Sequence, residues 1–389
     1  MRDASHPVLA SRARVATGPT VHARPATSRT RRATIHASTS SSSSSSSSSN
    51  DVTSIVQLKS ALQKIADERR KNDKRPTWMD VEGARARLPR DKRPWGFVHF
   101  IGGAVLGSYP EIAYDSFLGR VADEVGVCVV CTPFELGVDH DAVSKACARM
   151  YSKARARLCE NEGLSVEMAP TFRVGHSLGC KLHALAACED DASNEEVLDV
   201  DAESGTVTVS RSSASDATAG HFLIAFNNAD ATDSVRLIEK FARALLKKRA
   251  EEGGGANADF LKSLPSLAAF AERAAKAAGL DFKPSPEETL DRVRHRFASR
   301  RTRLVKFKDD DLDQNAELVD ALNERFQVYP GSVDKRDLPF GNHLTPVYFS
   351  TEGLNLSPAF ERLVGDFALG DEAGVERLSE EVSSWIRGV

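Results

Sequence analysis

From residue 82 onward the chain alternates short apolar runs with longer stretches whose apolar positions recur every three or four residues. The first pattern predicts strands and the second predicts helices. "ARARL" (84–88) alternates and predicts a half-buried strand, while "WGFVHFI" (95–101) is nearly all apolar and predicts a buried one that ends at Gly102-Gly103. A helix follows over "PEIAYDSFLGRVADEVG", then a strand over "VCVVCTP" stopped by Pro133. "DAVSKACARMYSKARARLCE" has helical spacing, "PTFRVG" is a strand, and "KLHALAAC" is again helical. "HFLIAFNN" (221–228) and "RTRLVKF" (301–307) predict further strands. The chain closes with a helix over "AELVDALNERF", a short strand over "FQVYP" and a helix over "GVERLSEEVSSWIRG". Strands separated by helical crossovers pair in parallel, so the expected architecture is an α/β protein with a mostly parallel central sheet flanked by helices.

Three segments break the alternation. Residues 51–80 carry Ile55, Leu58, Leu62 and Ile65 at helical spacing and predict an amphipathic N-terminal helix. Residues 189–220 are acidic and Ser-rich with one strand-like run, "TVTVS", and are expected to form a surface insertion. Residues 231–300 are rich in Ala, Leu and Lys and predict a helical cap between the two parts of the core, 81–230 and 301–389. Within that cap Phe260, Leu261, Leu264, Leu267 and Phe270 share roughly one face, a stripe that packs on the domain or roofs a cleft.

Charge changes the picture at the N-terminus. Residues 1–50 hold seven arginines, no lysine and one acid, and end in a serine run from Ser40 to Ser49. Such a segment cannot build a core, and its Arg-rich, Ser-rich, acid-poor style predicts an organelle transit peptide and linker. Of the 52 basic and 55 acidic residues, 45 and 54 remain beyond residue 50, a net charge of −9. That balance gives no electrostatic case for nucleic-acid binding. No apolar run approaches the roughly 20 residues of a membrane-spanning helix. The six cysteines sit mostly among apolar residues and are expected to be buried free thiols. Cys128 and Cys131, three apart on a strand, would face opposite sides and cannot share a metal.

The candidate chemistry lies in Gly175-His176-Ser177-Leu178-Gly179, between a predicted strand and a predicted helix. A serine at such a turn is an exposed nucleophile, and it needs a histidine base held by a carboxylate further along the chain, acid first. His343, in "LPFGNHLTP", is the one histidine beyond residue 300. The acid belongs in the turn after "RTRLVKF", where Asp309, Asp310, Asp311 and Asp313 crowd together. Asp311 takes the third position after the strand when its end is set at Lys308, with Asp310 and Asp313 as rivals. Negative charge on the tetrahedral intermediate requires N–H donors. Leu178, which follows the nucleophile, supplies one, and Gly103 or Ala104 supplies the other. Strand-GG, strand-GHSLG-helix, strand-DDD and loop-His stand in the order of an α/β-hydrolase fold.

"HFIGGAVLGSYPEIAYDSFL", "TPFELGVDH", "GHSLGCKLH", "IAFNNA", "PSPEETL", "KFKDDDLDQ" and "GNHLTP" resemble the domain-of-unknown-function family 1350 (DUF1350) over roughly residues 81–389. That is an α/β-hydrolase-like family of plants, algae and cyanobacteria. The resemblance implies an α/β-hydrolase fold and, with the leader, a chloroplast address. The residues that match its motifs are Ser177, Asp311 and His343. The insertion at 189–220 is longer than is usual in that family.

These observations lead to the expectation of a serine hydrolase that cleaves an ester or thioester of a small or lipid-like acyl group through an acyl-enzyme. No metal or organic cofactor is expected. Two alternatives share the fold: an acyltransferase on the same site, and a non-catalytic binding or scaffold protein.

Overall fold

The computed structural model describes Gln63, residues 77–229 with short gaps at 105, 136, 167, 194–196, 201–206 and 211–217, and residues 282–350 and 368–388. The leader, nearly all of the predicted N-terminal helix, and residues 231–281 of the predicted cap lie outside the described residues.

The strands of the main sheet are β1 (Met79–Val81), β2 (Ala84–Arg87), β3 (Phe97–Ile101), β4 (Cys128–Cys131), β5 (Thr171–His176), β8 (Thr218–Ile224), β9 (Arg301–Phe307) and β10 (Ser332–Leu338). Between β5 and β8, β6 (Val197–Val200) and β7 (Val207–Ser210) form a separate antiparallel pair within the acidic insertion. Two short strands, β11 (Phe349–Ser350) and β12 (Ala368–Leu369), pair near the C-terminus. The sheet order is β1-β2-β4-β3-β5-β8-β9-β10. β2 runs antiparallel to β1 and β4, and every pairing from β4 across to β10 is parallel. This mostly parallel sheet flanked by helices is the α/β-hydrolase arrangement that the element order predicts.

The helices are α1 (Pro110–Ala113), α2 (Asp115–Val125), α3 (His140–Glu162), α4 (Leu178–Ser193), α5 (Pro286–Arg296), α6 (Asn315–Arg325) and α7 (Glu372–Arg387). Period-2 alternation of the strands sorts them into two layers. Val98, Phe100, Phe172, Val174, Phe222, Ile224, Val305 and Phe307 point to one face and pack with Phe117 and Val121 of α2 and with Trp385 and Ile386 of α7. Leu223 and Leu304 point to the other face, under Cys180 and Ala184 of α4, Val293 of α5 and Leu318 and Leu322 of α6. All six cysteines are buried and unbridged. Cys128 and Cys131 fall in clusters on opposite faces of the sheet, as the strand period requires.

Three elements differ from expectation. The last main-sheet strand is β10, not "FQVYP", which forms turns. β10 carries exposed Asp334, Lys335, Arg336 and Asp337, so it has no apolar signature. It is an edge strand, where charge discourages further pairing. Residues 79 and 80, placed at the end of the N-terminal helix, belong to strand β1. Finally, α5 falls within the span assigned to the cap but packs into the core beside α4 and α6. Its Ser285 capping box fixes where that helix starts.

Candidate active site

Ser177 sits where β5 turns into α4, with a backbone φ of 55°. A non-glycine residue in the left-handed region marks a strained turn held by its surroundings. Its N–H donates to the Ile224 carbonyl at the end of β8, 3.0 Å away. The flanking glycines are required by contact rather than by flexibility. A Cβ on Gly179 would fall 2.0 Å from the Ile101 carbonyl oxygen, and one on Gly175 would fall 2.8 Å from the Cys180 nitrogen. The GxSxG spacing is therefore what lets α4 start directly over the end of β3.

His343 reaches Ser177 from the loop after β10. Its Nε2 lies 2.9 Å from Ser177 Oγ, and its Nδ1 lies 3.1 and 3.0 Å from the two carboxylate oxygens of Asp310. A carboxylate only accepts, so Nδ1 carries the proton in the neutral ring and Nε2 is the free base facing the serine hydroxyl. The acid that meets the histidine is thus Asp310 and not Asp311. Asp311 is exposed, whereas the Asp310 side chain is fully buried. β9 ends at Phe307 rather than Lys308, so the third position after the strand is Asp310. Beyond it the backbone is bound to the histidine loop: Lys308 N–H donates to Phe340 and Asp309 N–H to Gly341. Asp310 also accepts from the Leu312 N–H at 3.0 Å. Asp313 turns away to accept from the Asn315 N–H at the start of α6. Burial, with the charge of Asp310 adding to it, pushes the Asp313 carboxyl up to about 7, so it is a poor permanent counter-ion.

The loop after β8 anchors this acid-bearing turn. Asn227 donates to the Leu312 carbonyl, the Asn228 N–H donates to the Gln314 side chain, and the Gln314 N–H donates back to Phe226. "FNN" therefore has a role that its composition alone did not reveal.

On the opposite side of Ser177 lies Gly102-Gly103. A Cβ on Gly103 would touch Ser177 Cβ and His176 Nδ1, each at 3.4 Å, so the loop borders the serine as expected. Its N–H, however, donates to the Tyr114 hydroxyl at 2.9 Å. Of the two N–H groups expected from this loop, Ala104's is the one without an acceptor among the described residues, and Gly103's is already engaged. Leu178, the first residue of α4, has an N–H that its own helix cannot satisfy.

His176, placed by the sequence only as the nucleophile's neighbour, is buried. Its Nε2 lies 2.8 Å from the His343 carbonyl oxygen and its Nδ1 lies 2.9 Å from the Tyr114 hydroxyl. Burial, and next the nearby His343, lowers its pKa to about 3. Tyr114 carried no signal in the sequence beyond being an aromatic in an amphipathic stretch. Among the described residues no group of three or more His, Cys, Asp or Glu side chains could hold a metal. No described helix is long and apolar enough to cross a membrane.

Comparison with known proteins gives a family match. The model of the family "Protein of unknown function (DUF1350)" matches residues 77–195 and 209–358. Among solved structures, the hyperthermophilic esterase of the archaeon Pyrobaculum calidifontis is 16% identical, with a TM-score of 0.46 over 86% of this chain and 94% of that one. A fungal esterase from Rhizomucor miehei is 12% identical, with a TM-score of 0.49 over 86% and 90%. The RedJ thioesterase of Streptomyces coelicolor is 17% identical, with a TM-score of 0.38 over 75% and 90%. No curated protein matches the chain.

Proposed function

The chain belongs to the DUF1350 family of proteins of unknown function, and we propose that this member is a serine hydrolase acting on esters or thioesters through Ser177, His343 and Asp310. The observation that carries the reading is the continuous path from Ser177 Oγ through His343 to a buried Asp310 carboxylate, at 2.9 Å and 3.0 Å. A serine hydroxyl is a weak nucleophile at neutral pH, and an imidazole so oriented activates it.

Ser177 Oγ attacks the substrate carbonyl carbon while His343 Nε2 takes the hydroxyl proton. Asp310 keeps the ring in the Nδ1–H tautomer and stabilises the positive charge that results. The Leu178 and Ala104 N–H groups stabilise the oxyanion. The bond to the alcohol or thiol then breaks, and that leaving group takes the proton from His343. Water, deprotonated by the same ring, attacks the acyl-enzyme and releases the acid with Ser177 restored. The acyl group is small or lipid-like, and the Arg-rich leader supports delivery to the chloroplast.

The test uses p-nitrophenyl esters and acyl thioesters of graded chain length with the full-length protein. A burst of one nitrophenolate per protein followed by steady turnover, absent in Ser177→Ala, supports the reading. A folded protein with no turnover on any member of the series contradicts it.

A further inference from the structure

Two loops must act on one carbonyl in this reaction: the loop after β3, which brings an oxyanion donor, and the loop after β10, which brings the base. They are far apart in sequence, and the backbone bond between their segments, from the Tyr348 N–H to the Ala113 carbonyl at 3.1 Å, lies beyond both the donor and the base. A buried pair of side chains joins the two loops at the site itself. Resting on the hydrolase reading above, we propose that Tyr114 and His176 are positioning residues that lock the oxyanion loop and the base loop into one register beneath Ser177.

The proton positions follow from the partners. The His343 carbonyl oxygen can only accept, so His176 Nε2 donates to it across 2.8 Å. With His176 neutral, its Nδ1 is bare and accepts from the Tyr114 hydroxyl at 2.9 Å. The Tyr114 oxygen in turn accepts from the Gly103 N–H at 2.9 Å. The result is a directed chain: Gly103 N–H to Tyr114 O–H to His176, and His176 to the main chain of His343. It is fully satisfied and buried, so breaking any link leaves an unpaired polar group in a buried site.

The surroundings are shaped to the pair. A Cβ on Gly102 would fall 2.8 Å from a ring carbon of Tyr114, so this glycine leaves space for the tyrosine. The ring also packs edge-on against Phe100, with centroids 4.8 Å apart. That packing survives in phenylalanine, which removes the hydroxyl alone. By engaging the Gly103 N–H, Tyr114 leaves Ala104 as the donor this loop can offer. His176 holds His343 by its main chain and leaves the imidazole free to move a proton.

The test compares the full-length wild type with Tyr114→Phe, His176→Phe and His176→Gln. A glutamine Nε2 can still donate to the His343 carbonyl, so it is the conservative variant. Two readouts are taken: the limiting rate and apparent Ki of fluorophosphonate labelling, and the imidazole nitrogen resonances of His343. Neither residue touches substrate, so Tyr114→Phe and His176→Phe should label about 10- to 100-fold more slowly. Apparent Ki should stay within about twofold, because uniform binding is not removed. His176→Gln should recover most of the rate. His343's resonances should shift in the two damaged variants and return toward wild type in His176→Gln. If Tyr114→Phe labels at the wild-type rate with the His343 resonances unmoved, the pair has no positioning role. A wild type that takes no label sinks the hydrolase reading separately. The pair then stands if the His343 resonances shift in Tyr114→Phe and falls if they do not.

Discussion

Two groups of buried histidines share this sheet. One, His176 and His343, lies at the carboxyl ends of the strands. The other lies mid-sheet under α3, α4 and α5. There His99 of β3, Arg173 of β5, His221 of β8 and Thr302 of β9 stand in register across four strands. His183 of α4 packs on them, 4.8 Å from His99 and 6.4 Å from His221 between ring centroids. The hydrogen-bond partners of these rings are neutral: Thr132 for His99, the Val174 carbonyl for His183 and Ser299 for His221. The carboxylate nearby, Asp190, lies 2.7 Å from Arg173. Burial foremost lowers all three pKa values, to about 3 for His183. Burial is thus common to both groups, and His176 shares its lowered pKa with the mid-sheet rings. What separates them is a buried carboxylate on one ring nitrogen and a strained serine on the other, and only His343 has both.

This contrast sets the order of expected effects. Ser177→Ala and His343→Ala should each lower esterase turnover by at least about 10,000-fold, with substrate binding little changed. Asp310→Asn should lower it by about 1,000- to 10,000-fold, because the amide no longer enforces the required tautomer. Mid-sheet substitutions should act on stability instead. An imidazole held neutral by burial binds fewer protons folded than unfolded. Its contribution is fully present above the unfolded pKa near 6.5 and is lost as pH falls toward about 3. Each such ring steepens acid destabilisation by up to about 1.4 kcal/mol per pH unit. Urea unfolding at pH 7.5 and 5.5 should therefore show a pronounced drop for wild type and a smaller one for His183→Leu, with turnover at pH 7.5 within about threefold. The smallest effect should be that of Asp311→Asn, within about twofold of wild type. If Asp311→Asn damaged turnover and Asp310→Asn did not, the pairing described for His343 would be wrong.

Much of this was legible in the sequence, and the reasons are specific. Strands β3, β4 and β5 are buried throughout and β8 and β9 over most of their length, so each carries an apolar stretch bounded by turns. β10 escaped because an edge strand needs no such run. Ser177 was legible because Gly175 and Gly179 must lack side chains at close backbone contacts, a demand that leaves a spacing in the sequence. His343 was found because no other histidine lies so late in the chain. The acid was not resolved, since adjacent aspartates differ only in which way the backbone turns them. That direction is set by hydrogen bonds from Lys308 and Asp309 to a loop more than 30 positions away. Tyr114 was invisible for the same reason: its partners, Gly103 and His176, meet it only in three dimensions.

The most direct test of the central claim is to treat the full-length protein with a fluorophosphonate and locate the adduct by mass spectrometry, with Ser177→Ala and Asp310→Asn beside it. One adduct on Ser177 in the wild type, absent in Ser177→Ala and strongly slowed in Asp310→Asn, is the predicted result. A folded wild type with no adduct, or with one that survives Ser177→Ala, would contradict it.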